Sequence, residues 1–462
     1  SQADSGDRIK FSMTSYNTIA GKDYKSDAFY DYISEKFNVD IDVMANEPSG
    51  AAEKIRIWIN GGSLPNAANW EEFNFTEYYS YVDQGLLKPL PDGGESTYPN
   101  LAKGVEASGY AEALKVDGKT YGVPHSVYVN FVEMNPPVSH ISVTYRKDWA
   151  EEVDMSDLGK DYKVSLSEMK EYFQKVKEAG LTSDGAFISS NAGNVTNFFA
   201  FATGTELKAF IENEDGFIYA PEANKADWVN MIKTMREWFK EGLIDPDYAV
   251  INDIYDARSA MMAGTLAALY DSGDCGNYSS YVTGYQDSFP DQNAYDHVGI
   301  AHIVADDGSS YMSETGNYWT VQVFAPETDD ATMTRILELM DWICTPEGEL
   351  ATNIGIPEVD WKYAEDGSIE VINAVTGDDY PSMSALLLMG NCSGDEVGYT
   401  GVKANVAKEA IERSLAVFDV KTSGNIFKVE KNYTVYSSPT KDNYSVNLTS
   451  KISELVANDA DI

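Results

Sequence analysis

The chain has 462 residues, more than one hydrophobic core usually supports, so its length predicts two lobes of roughly 200 residues each. Hydrophobic residues make up 43% of it and aromatic residues 12%, which is typical of a folded globular protein. Asp and Glu number 74 against 34 Lys and Arg, and the net charge of -40 argues against binding to nucleic acid or to an anionic membrane surface.

The first sixty residues alternate between strand and helix patterns. Residues 9–17, IKFSMTSYN, alternate apolar and polar side chains and then stop at Tyr16 and Asn17, which predicts a strand with a polar end. A helical stripe over 27–37, a strand VDIDVM and a helix over 50–60 follow, and the loop GGSLPNAANW comes next. This order predicts an α/β layer with a largely parallel sheet.

The stretch VDGKTYGVPHS, residues 116–126, has an unusual end. Its Asp-Gly pair is typical of a hairpin turn, so a strand should follow. A glycine and Pro124 interrupt that strand, and His125 and Tyr128 come where the chain could meet solvent. One of only four histidines therefore stands at the end of a predicted strand.

Further amphipathic helices are predicted after residue 160. The segment 164–180 begins with a capping box, in which Ser165 and Glu168 satisfy free backbone N–H groups, and it ends at Gly180. The other predicted helices lie in 226–248, in 333–348, where Pro346 should stop the helix, and in 403–418 and 446–458. The periodicity of the first of these places Trp228 and Trp238 in the core.

No strong catalytic or metal-binding motif occurs in the sequence. It lacks a phosphate-binding loop, a dinucleotide fingerprint, an HExxH helix and a nucleophile elbow. The three cysteines, Cys275, Cys344 and Cys392, have no metal-ligand spacing, and one disulfide among them stays open. We therefore predict no cofactor and no metal.

The acids of DSGDCG, residues 271–276, flank a glycine turn after an apolar run. We interpret them as acceptors for ligand hydroxyls in preference to a general acid.

No apolar run of about 18 residues occurs that would span a membrane. The polar start SQADSGDR is typical of a processed or truncated terminus, and no signal peptide is visible.

Nine short segments, taken together and in order, resemble the extracellular solute-binding proteins of bacterial ABC importers, in the carbohydrate-associated family 1 of large lipoprotein type. The resemblance extends over roughly residues 9 to 420. The segments, which begin at residue 59 and end at residue 363, are INGGSLPNAANW, VDGKTYGVP, VTYRKDWAEEV, VSLSEMKEYF, KEGLIDPDY, MMAGTLAALYDS, NYWTVQVFAPETDD, LMDWICTPEG and NIGIPEVDWKY.

The resemblance implies a two-lobed, periplasmic-binding-protein-like α/β fold, with a ligand cleft between lobes joined by crossing hinge strands. The N-terminal lobe would comprise 1–130 with 315–388, and the C-terminal lobe 131–314 with 389–462. It also implies a monomer at the cell surface, secreted or anchored by a lipid, with an ABC permease as partner. Some relatives hold calcium after the helix that ends at Gly180, but only Asp184 of that motif is present here, so we expect no calcium.

Ligand-binding residues are expected in polar loops, because a sugar needs flat aromatic faces for its C–H groups and polar side chains for its hydroxyls. The candidates are Tyr16, Asn17, Asn66, Trp70, His125, Tyr128, Asn194, Tyr270, Asp271, Asp274, Glu314, Asn317 and Trp319. In place of a ligand role, His125 could pack at the hinge and hydrogen-bond to backbone, and Asn194 could be a turn residue.

The function that these observations predict is capture of an oligosaccharide by closure of the lobes and delivery to a membrane permease, with no bond broken. Two alternatives stay open. One is a glycan hydrolase or lyase that uses a carboxylate pair such as Asp271 with Glu314. The other is a peptide-binding protein of the same fold.

Overall fold

The computed structural model describes residues 8–16, 18–47, 50–71, 73, 75–125, 138–182, 188–189, 191–207, 210–213, 216–219, 224–250, 254–313, 320–390, 406–427 and 450–458. The chain divides into two compact units: unit 1 is Ser1–Pro137 with Gly316–Asn405, and unit 2 is Val138–Thr315 with Val406–Ile462. Its last crossing between units thus follows Asn405, later than the boundary at 388 that we expected.

The strands and helices are numbered along the chain. The strands are β1 (Ile9–Thr14), β2 (Val39–Val43), β3 (Ala67–Trp70), β4 (Lys115–Val116), β5 (Lys119–Thr120), β6 (Gly122–His125), β7 (Ile141–Arg146), β8 (Lys163–Ser165), β9 (Ile188–Ser189), β10 (Phe210–Asn213), β11 (Gly216–Tyr219), β12 (Ala268–Ser272), β13 (Val298–Val304), β14 (Tyr311–Ser313), β15 (Thr320–Phe324), β16 (Trp361–Tyr363), β17 (Ile369–Val371) and β18 (Asn425–Phe427). The helices are α1 (Ala28–Phe37), α2 (Ala51–Asn60), α3 (Phe75–Asp83), α4 (Gly94–Thr97), α5 (Pro99–Ala107), α6 (Lys147–Glu152), α7 (Leu166–Ala179), α8 (Ala192–Thr203), α9 (Lys225–Lys240), α10 (Tyr255–Met262), α11 (Cys275–Ser288), α12 (Ala294–His297), α13 (Asp330–Ile343), α14 (Pro346–Ile354), α15 (Pro381–Leu387), α16 (Lys408–Thr422) and α17 (450–457).

Unit 1 contains a five-stranded sheet in the order β2-β1-β3-β15-β6. Strand β1 runs parallel to β2 and β3, whereas β15 runs antiparallel to both β3 and β6. Four strands therefore point the same way, and their carboxyl ends meet at one edge together with the amino end of β15.

The core of unit 1 lies between this sheet and flanking helices. The alternation predicted for the first strand is confirmed, since Phe11 and Met13 are 2% and 0% exposed. They pack in one cluster with Phe29 of α1 and with Ile336 and Met340 of α13. Burial of these apolar side chains stabilises the packing of the two helices on the sheet.

Unit 2 contains a second five-stranded sheet, in the order β8-β13-β7-β12-β9. Strand β7 runs antiparallel to both of its neighbours, while β8 is parallel to β13 and β9 is parallel to β12. The carboxyl ends of β8, β9, β12 and β13 therefore share one edge with the amino end of β7.

The capping box of α7 is confirmed in unit 2. The Ser165 hydroxyl accepts from the N–H of Glu168 at 3.2 Å, and the Glu168 carboxylate accepts from the N–H of Ser165 at 2.8 Å. Gly180 ends the helix in the left-handed conformation, with a φ of 66°. The predicted burial of Trp228 and Trp238 on α9 is also confirmed, at 4% and 1% exposure.

The helix predicted at 333–348 begins earlier than expected, and it ends before Pro346, the residue predicted to stop it. Helix α13 begins at Asp330 and ends at Ile343, and a separate helix α14 begins at Pro346. The reason is local. Thr345 is the N-cap of α14, and its hydroxyl accepts from the N–H of Gly348. Proline has no N–H, and the first position of a helix does not need one. The end predicted for α9, at 248, was too late. The helix ends at Lys240, and Gly242 follows with a φ of 67°.

The structure bears on the cysteines and on membrane-spanning helices. Cys275 and Cys344 are buried free thiols, and Cys392 lies outside the described residues. Within the part of the chain that the structure describes, no helix is long and apolar enough to cross a membrane.

The N-cap of α1 provides a test of unit 1. Asp27 is 9% exposed, and its carboxylate accepts from the N–H of Tyr30 at 2.8 Å, the N–H of Ser382 at 2.9 Å and the Ser382 hydroxyl at 2.6 Å. We expect Asp27→Ala to lower the free energy of unfolding of unit 1 by about 2–4 kcal/mol, since buried donors lose their acceptor. Urea unfolding measures the loss.

The matched control is Asp329→Ala, at the exposed N-cap of α13 in the same unit. Asp329 accepts from the N–H and hydroxyl of Thr332, at 2.9 and 2.7 Å. This variant should cost about 1 kcal/mol, as exposed caps do. Equal losses in the two variants would contradict the role given to the Ser382 contacts.

Candidate ligand-binding site

Three predicted ligand residues lie at the carboxyl edge of the unit 1 sheet. Tyr16 follows the end of β1 and is half-buried, Trp70 is the last residue of β3, and His125 is the last residue of β6. Ligands of open α/β sheets commonly bind outside the carboxyl ends of strands. The topology thus brings these three residues to the edge where a ligand is expected.

Trp70 points into the core of unit 1. It is 0% exposed, and its ring lies 5.1 Å from that of Phe73 and 5.7 Å from that of Tyr81. Its indole ring is therefore covered by protein. In the sequence it resembled a ligand platform because the residues around it are polar. Its ligand role stays a prediction that the burial does not favour.

Asn66 lies at the other end of β3, immediately before the strand begins. Its side-chain oxygen accepts from the N–H of Ser12 at 2.9 Å, and its amide nitrogen donates to the Thr328 hydroxyl at 3.1 Å. The side chain joins β1 to the segment that follows β15. These contacts give Asn66 a structural task away from the carboxyl edge.

His125 makes the backbone contact that was one of its two predicted roles. Its Nδ1 hydrogen-bonds to the carbonyl oxygen of Gly390, and its strand position pairs with Thr320. A carbonyl only accepts, so Nδ1 carries the proton and Nε2 is left as an acceptor. Burial lowers the pKa of His125 and favours this neutral form.

In unit 2, Tyr270 and Asn194 belong to the packing around β12. Tyr270 is 0% exposed, and its ring lies 5.4 Å from that of Phe198. Asn194 donates from its side chain to the Tyr270 carbonyl at 3.3 Å, and its backbone N–H donates to the N-cap Asn191 at 2.9 Å. The contacts of both residues are thus internal to unit 2.

Asp274 is the N-cap of α11. It is 8% exposed, and its carboxylate accepts from the N–H groups of Gly276 and Asn277 at 2.9 and 3.1 Å. The side-chain amide of Asn277 donates to the other carboxylate oxygen at 2.5 Å. The second acid of DSGDCG therefore stabilises the start of a helix, which the sequence pattern alone did not distinguish from a ligand contact.

Asp271 is the buried anchor of an arginine. Its Oδ2 accepts from Arg258 Nε at 2.5 Å and from the Tyr281 hydroxyl at 2.8 Å. The Asp271 side chain is 5% exposed, whereas that of Arg258 is 22% exposed. The acid is therefore paired with a cation, and the cation is the more accessible member of the pair.

Sequence reasoning missed Arg258, and it also missed two cationic or basic groups near the start of β7. His140 Nε2 lies 2.9 Å from the Ser272 hydroxyl. Lys421, 0% exposed, donates to the carbonyls of Ser139 and Ile141 at 3.2 and 2.5 Å, and burial lowers its pKa well below the usual value. The hydrogen-bond partners of these residues are distant in sequence, so no spacing pattern predicts the contacts.

The remaining candidates, Asn17, Tyr128, Glu314, Asn317 and Trp319, lie outside the described residues. The carboxylate pair of Asp271 with Glu314 therefore has no measured separation. No group of three or more His, Cys, Asp or Glu side chains that could hold a metal ion occurs among the residues that the structure describes.

Comparison with known proteins gives one curated relative. The chain is 22% identical over 250 residues to the fructooligosaccharide ABC transporter substrate-binding protein FusA of Streptococcus pneumoniae. The alignment covers 52% of this chain and 45% of that relative, so the match spans less than half of the relative's length. No family model matches the chain.

Solved structures match nearly the whole chain. FusA of S. pneumoniae in complex with kestose has a TM-score of 0.66 at 14% identity, covering 98% of this chain and 92% of that one. An extracellular solute-binding protein from Bifidobacterium longum subsp. infantis has a TM-score of 0.62 at 12% identity, covering 99% and 92%. The N-glycan transport solute-binding protein NgtS of S. pneumoniae, in complex with Man5GlcNAc, has a TM-score of 0.55 at 14% identity, covering 98% and 89%.

These likenesses confirm the predicted fold class, the two-lobed α/β fold of solute-binding proteins. They also confirm the resemblance recognised in the sequence, since the curated relative and these structures are named as solute-binding or ABC transporter substrate-binding proteins. Each is named as a binding protein, and none of them as an enzyme.

Three histidines with lowered pKa values predict how stability depends on pH. Burial lowers the pKa of His125, His140 and His302 below the ordinary value of about 6.5, so the unfolded chain binds protons that the folded chain excludes. Stability should therefore fall as the pH drops below about 6.5, by up to about 1.4 kcal/mol per pH unit for each histidine.

His302, which is 0% exposed, offers the sharpest test. Urea unfolding of wild type and His302→Gln between pH 7.5 and 5 compares slopes rather than absolute stabilities, so any packing loss in the variant cancels. The variant should lose stability less steeply as the pH falls. Identical slopes would show that His302 does not exclude a proton in the folded protein.

Proposed function

We propose that the protein is the substrate-binding component of an ABC transporter, and that it captures an oligosaccharide and delivers it to a membrane permease. The observation that carries the proposal is the likeness to FusA in complex with kestose, which extends over 98% of this chain with a TM-score of 0.66. The weaker likeness to a structure in complex with Man5GlcNAc points to the same broad class of ligand, an oligosaccharide.

The chemistry of the chain agrees with this proposal. Each unit carries some of its described candidate residues near the carboxyl edge of one sheet, where α/β folds bind small molecules. The described side chains include acceptors, donors and aromatic rings at these edges but no metal cluster. Such groups suffice to bind hydroxyls and C–H faces, and no covalent step is needed.

The proposed mechanism is a population shift. A ligand that interacts better with a closed arrangement of the lobes than with an open one shifts the equilibrium toward closure. The permease would then recognise the closed form. A monomer held at the cell surface by a lipid anchor would fit this task, and the net charge of -40 would keep it soluble there.

Thermal unfolding with a panel of compounds tests the proposal. The panel contains kestose, cycloalternan, Man5GlcNAc, an oligogalacturonate and a mixture of short peptides. An oligosaccharide present at about 100 times its Kd should stabilise the protein by about 2.7 kcal/mol, which gives a visible shift in Tm. Chromatography of the same mixtures after a long incubation should show the sugar unchanged.

Other outcomes would contradict the proposal in different ways. A shift with peptides alone would favour the peptide-binding alternative. A shift that decays while a shorter sugar appears would favour the glycan hydrolase or lyase. The absence of a Tm shift with every carbohydrate of the panel would contradict the proposal that the protein binds an oligosaccharide.

A further inference from the structure

Arg258 is anchored by an ion pair at the carboxyl edge of the unit 2 sheet. It lies in the first turn of α10 (Tyr255–Met262), and its Nε donates to Asp271 Oδ2 at 2.5 Å near the end of β12. The Tyr281 hydroxyl donates to the same oxygen at 2.8 Å. The buried carboxylate, which accepts both hydrogen bonds at this oxygen, therefore anchors the guanidinium through its Nε.

The guanidinium retains unused donors. Among the described residues, only its Nε has a hydrogen-bond acceptor, so Nη1 and Nη2 direct their N–H groups toward no protein acceptor there. The side chain is 22% exposed. A rigid fork of donors that solvent can reach is a binding element for two adjacent oxygen atoms.

An aromatic ring adjoins this fork. The guanidinium carbon of Arg258 lies 5.3 Å from the centroid of the Tyr255 ring, and Tyr255 is 40% exposed. An exposed flat ring beside aligned donors matches the two sides of a sugar residue, its C–H face and its hydroxyl edge.

We propose that Arg258 and Tyr255 form a subsite for one residue of an uncharged oligosaccharide, in which the guanidinium donates to two neighbouring hydroxyl oxygens and the ring packs on C–H groups. The subsite presupposes the proposed function and specifies its ligand. Two electrostatic features favour a neutral sugar over a uronic acid. Asp271 neutralises the charge of Arg258, and the net charge of the chain is -40.

Arg413 on α16 provides a matched comparison in the same unit. It also lies over a tyrosine ring, 5.2 Å from the centroid of Tyr295, and its side chain is 19% exposed. Its terminal nitrogens, however, donate to Glu409 at 2.7 Å and to the Tyr278 hydroxyl at 3.2 Å. It also contacts the carbonyl of Val298, which begins β13 and so lies at the opposite edge of the sheet. Its fork is therefore occupied.

The experiment compares Arg258→Lys, Tyr255→Ala and the control Arg413→Lys with wild type, using calorimetric titration of kestose, cycloalternan, Man5GlcNAc and an oligogalacturonate. Lysine keeps the charge beside Asp271 but lacks the planar fork. For the neutral sugar that wild type binds best, we expect Arg258→Lys and Tyr255→Ala each to weaken affinity about 10-fold or more. Arg413→Lys should leave affinity within about 2-fold. Unfolding temperatures without sugar establish that all variants are folded.

The outcomes distinguish a failure of the proposed subsite from a failure of the proposed function. If wild type binds a neutral sugar and both subsite variants bind as well as Arg413→Lys, the subsite is wrong and the proposed function stands. If wild type binds the oligogalacturonate best and Arg258→Lys weakens that binding, the ligand class is wrong. If wild type binds no carbohydrate, the proposed function fails and the subsite fails with it.

Discussion

The direction in which strands pair is the constraint on which the rest of this structure depends. In each five-stranded sheet, four strands run one way and a single strand runs against them. Backbone hydrogen bonds fix that direction, and with it the edge at which every following loop leaves the sheet. The polar ends of β1, β3 and β6 share an edge for this reason, and so do Asp271, Asp274 and Arg258 in the other unit.

Local signals in the sequence predicted the elements that depend on local chemistry. The capping box of Ser165 and Glu168, the glycine end of α7 and the alternation of β1 all act within a few residues, so the sequence alone was sufficient. Boundaries were less certain where a second local signal follows, as at Thr345 and Pro346. Proline was expected to stop one helix, but the sequence did not predict that these residues also begin the next. Comparison with solved structures confirms the fold class.

The candidate site could be predicted only in part, because the exposure of a side chain is a tertiary property. Trp70 stands in a polar stretch, but Phe73 and Tyr81 cover it. Asp271 stands beside a glycine turn, and nothing near it in sequence indicates that Arg258, thirteen residues earlier, neutralises it. Residue type and loop position therefore selected several residues that lie near the carboxyl edges of the two sheets, without distinguishing ligand contacts from packing.

The acids of this chain illustrate why an abundant residue type is a poor guide to a site. With 74 acids in the chain, most serve solubility, and the two in DSGDCG serve a helix cap and an ion pair. The informative group is the rarer cation that the acid holds in place. A buried carboxylate that orients an accessible guanidinium removes its net charge but keeps its directional donors, and this combination suits hydroxyl oxygens, which carry no charge of their own. An acidic protein can in this way present strong donors to a neutral sugar without creating a local field that would attract competing anions.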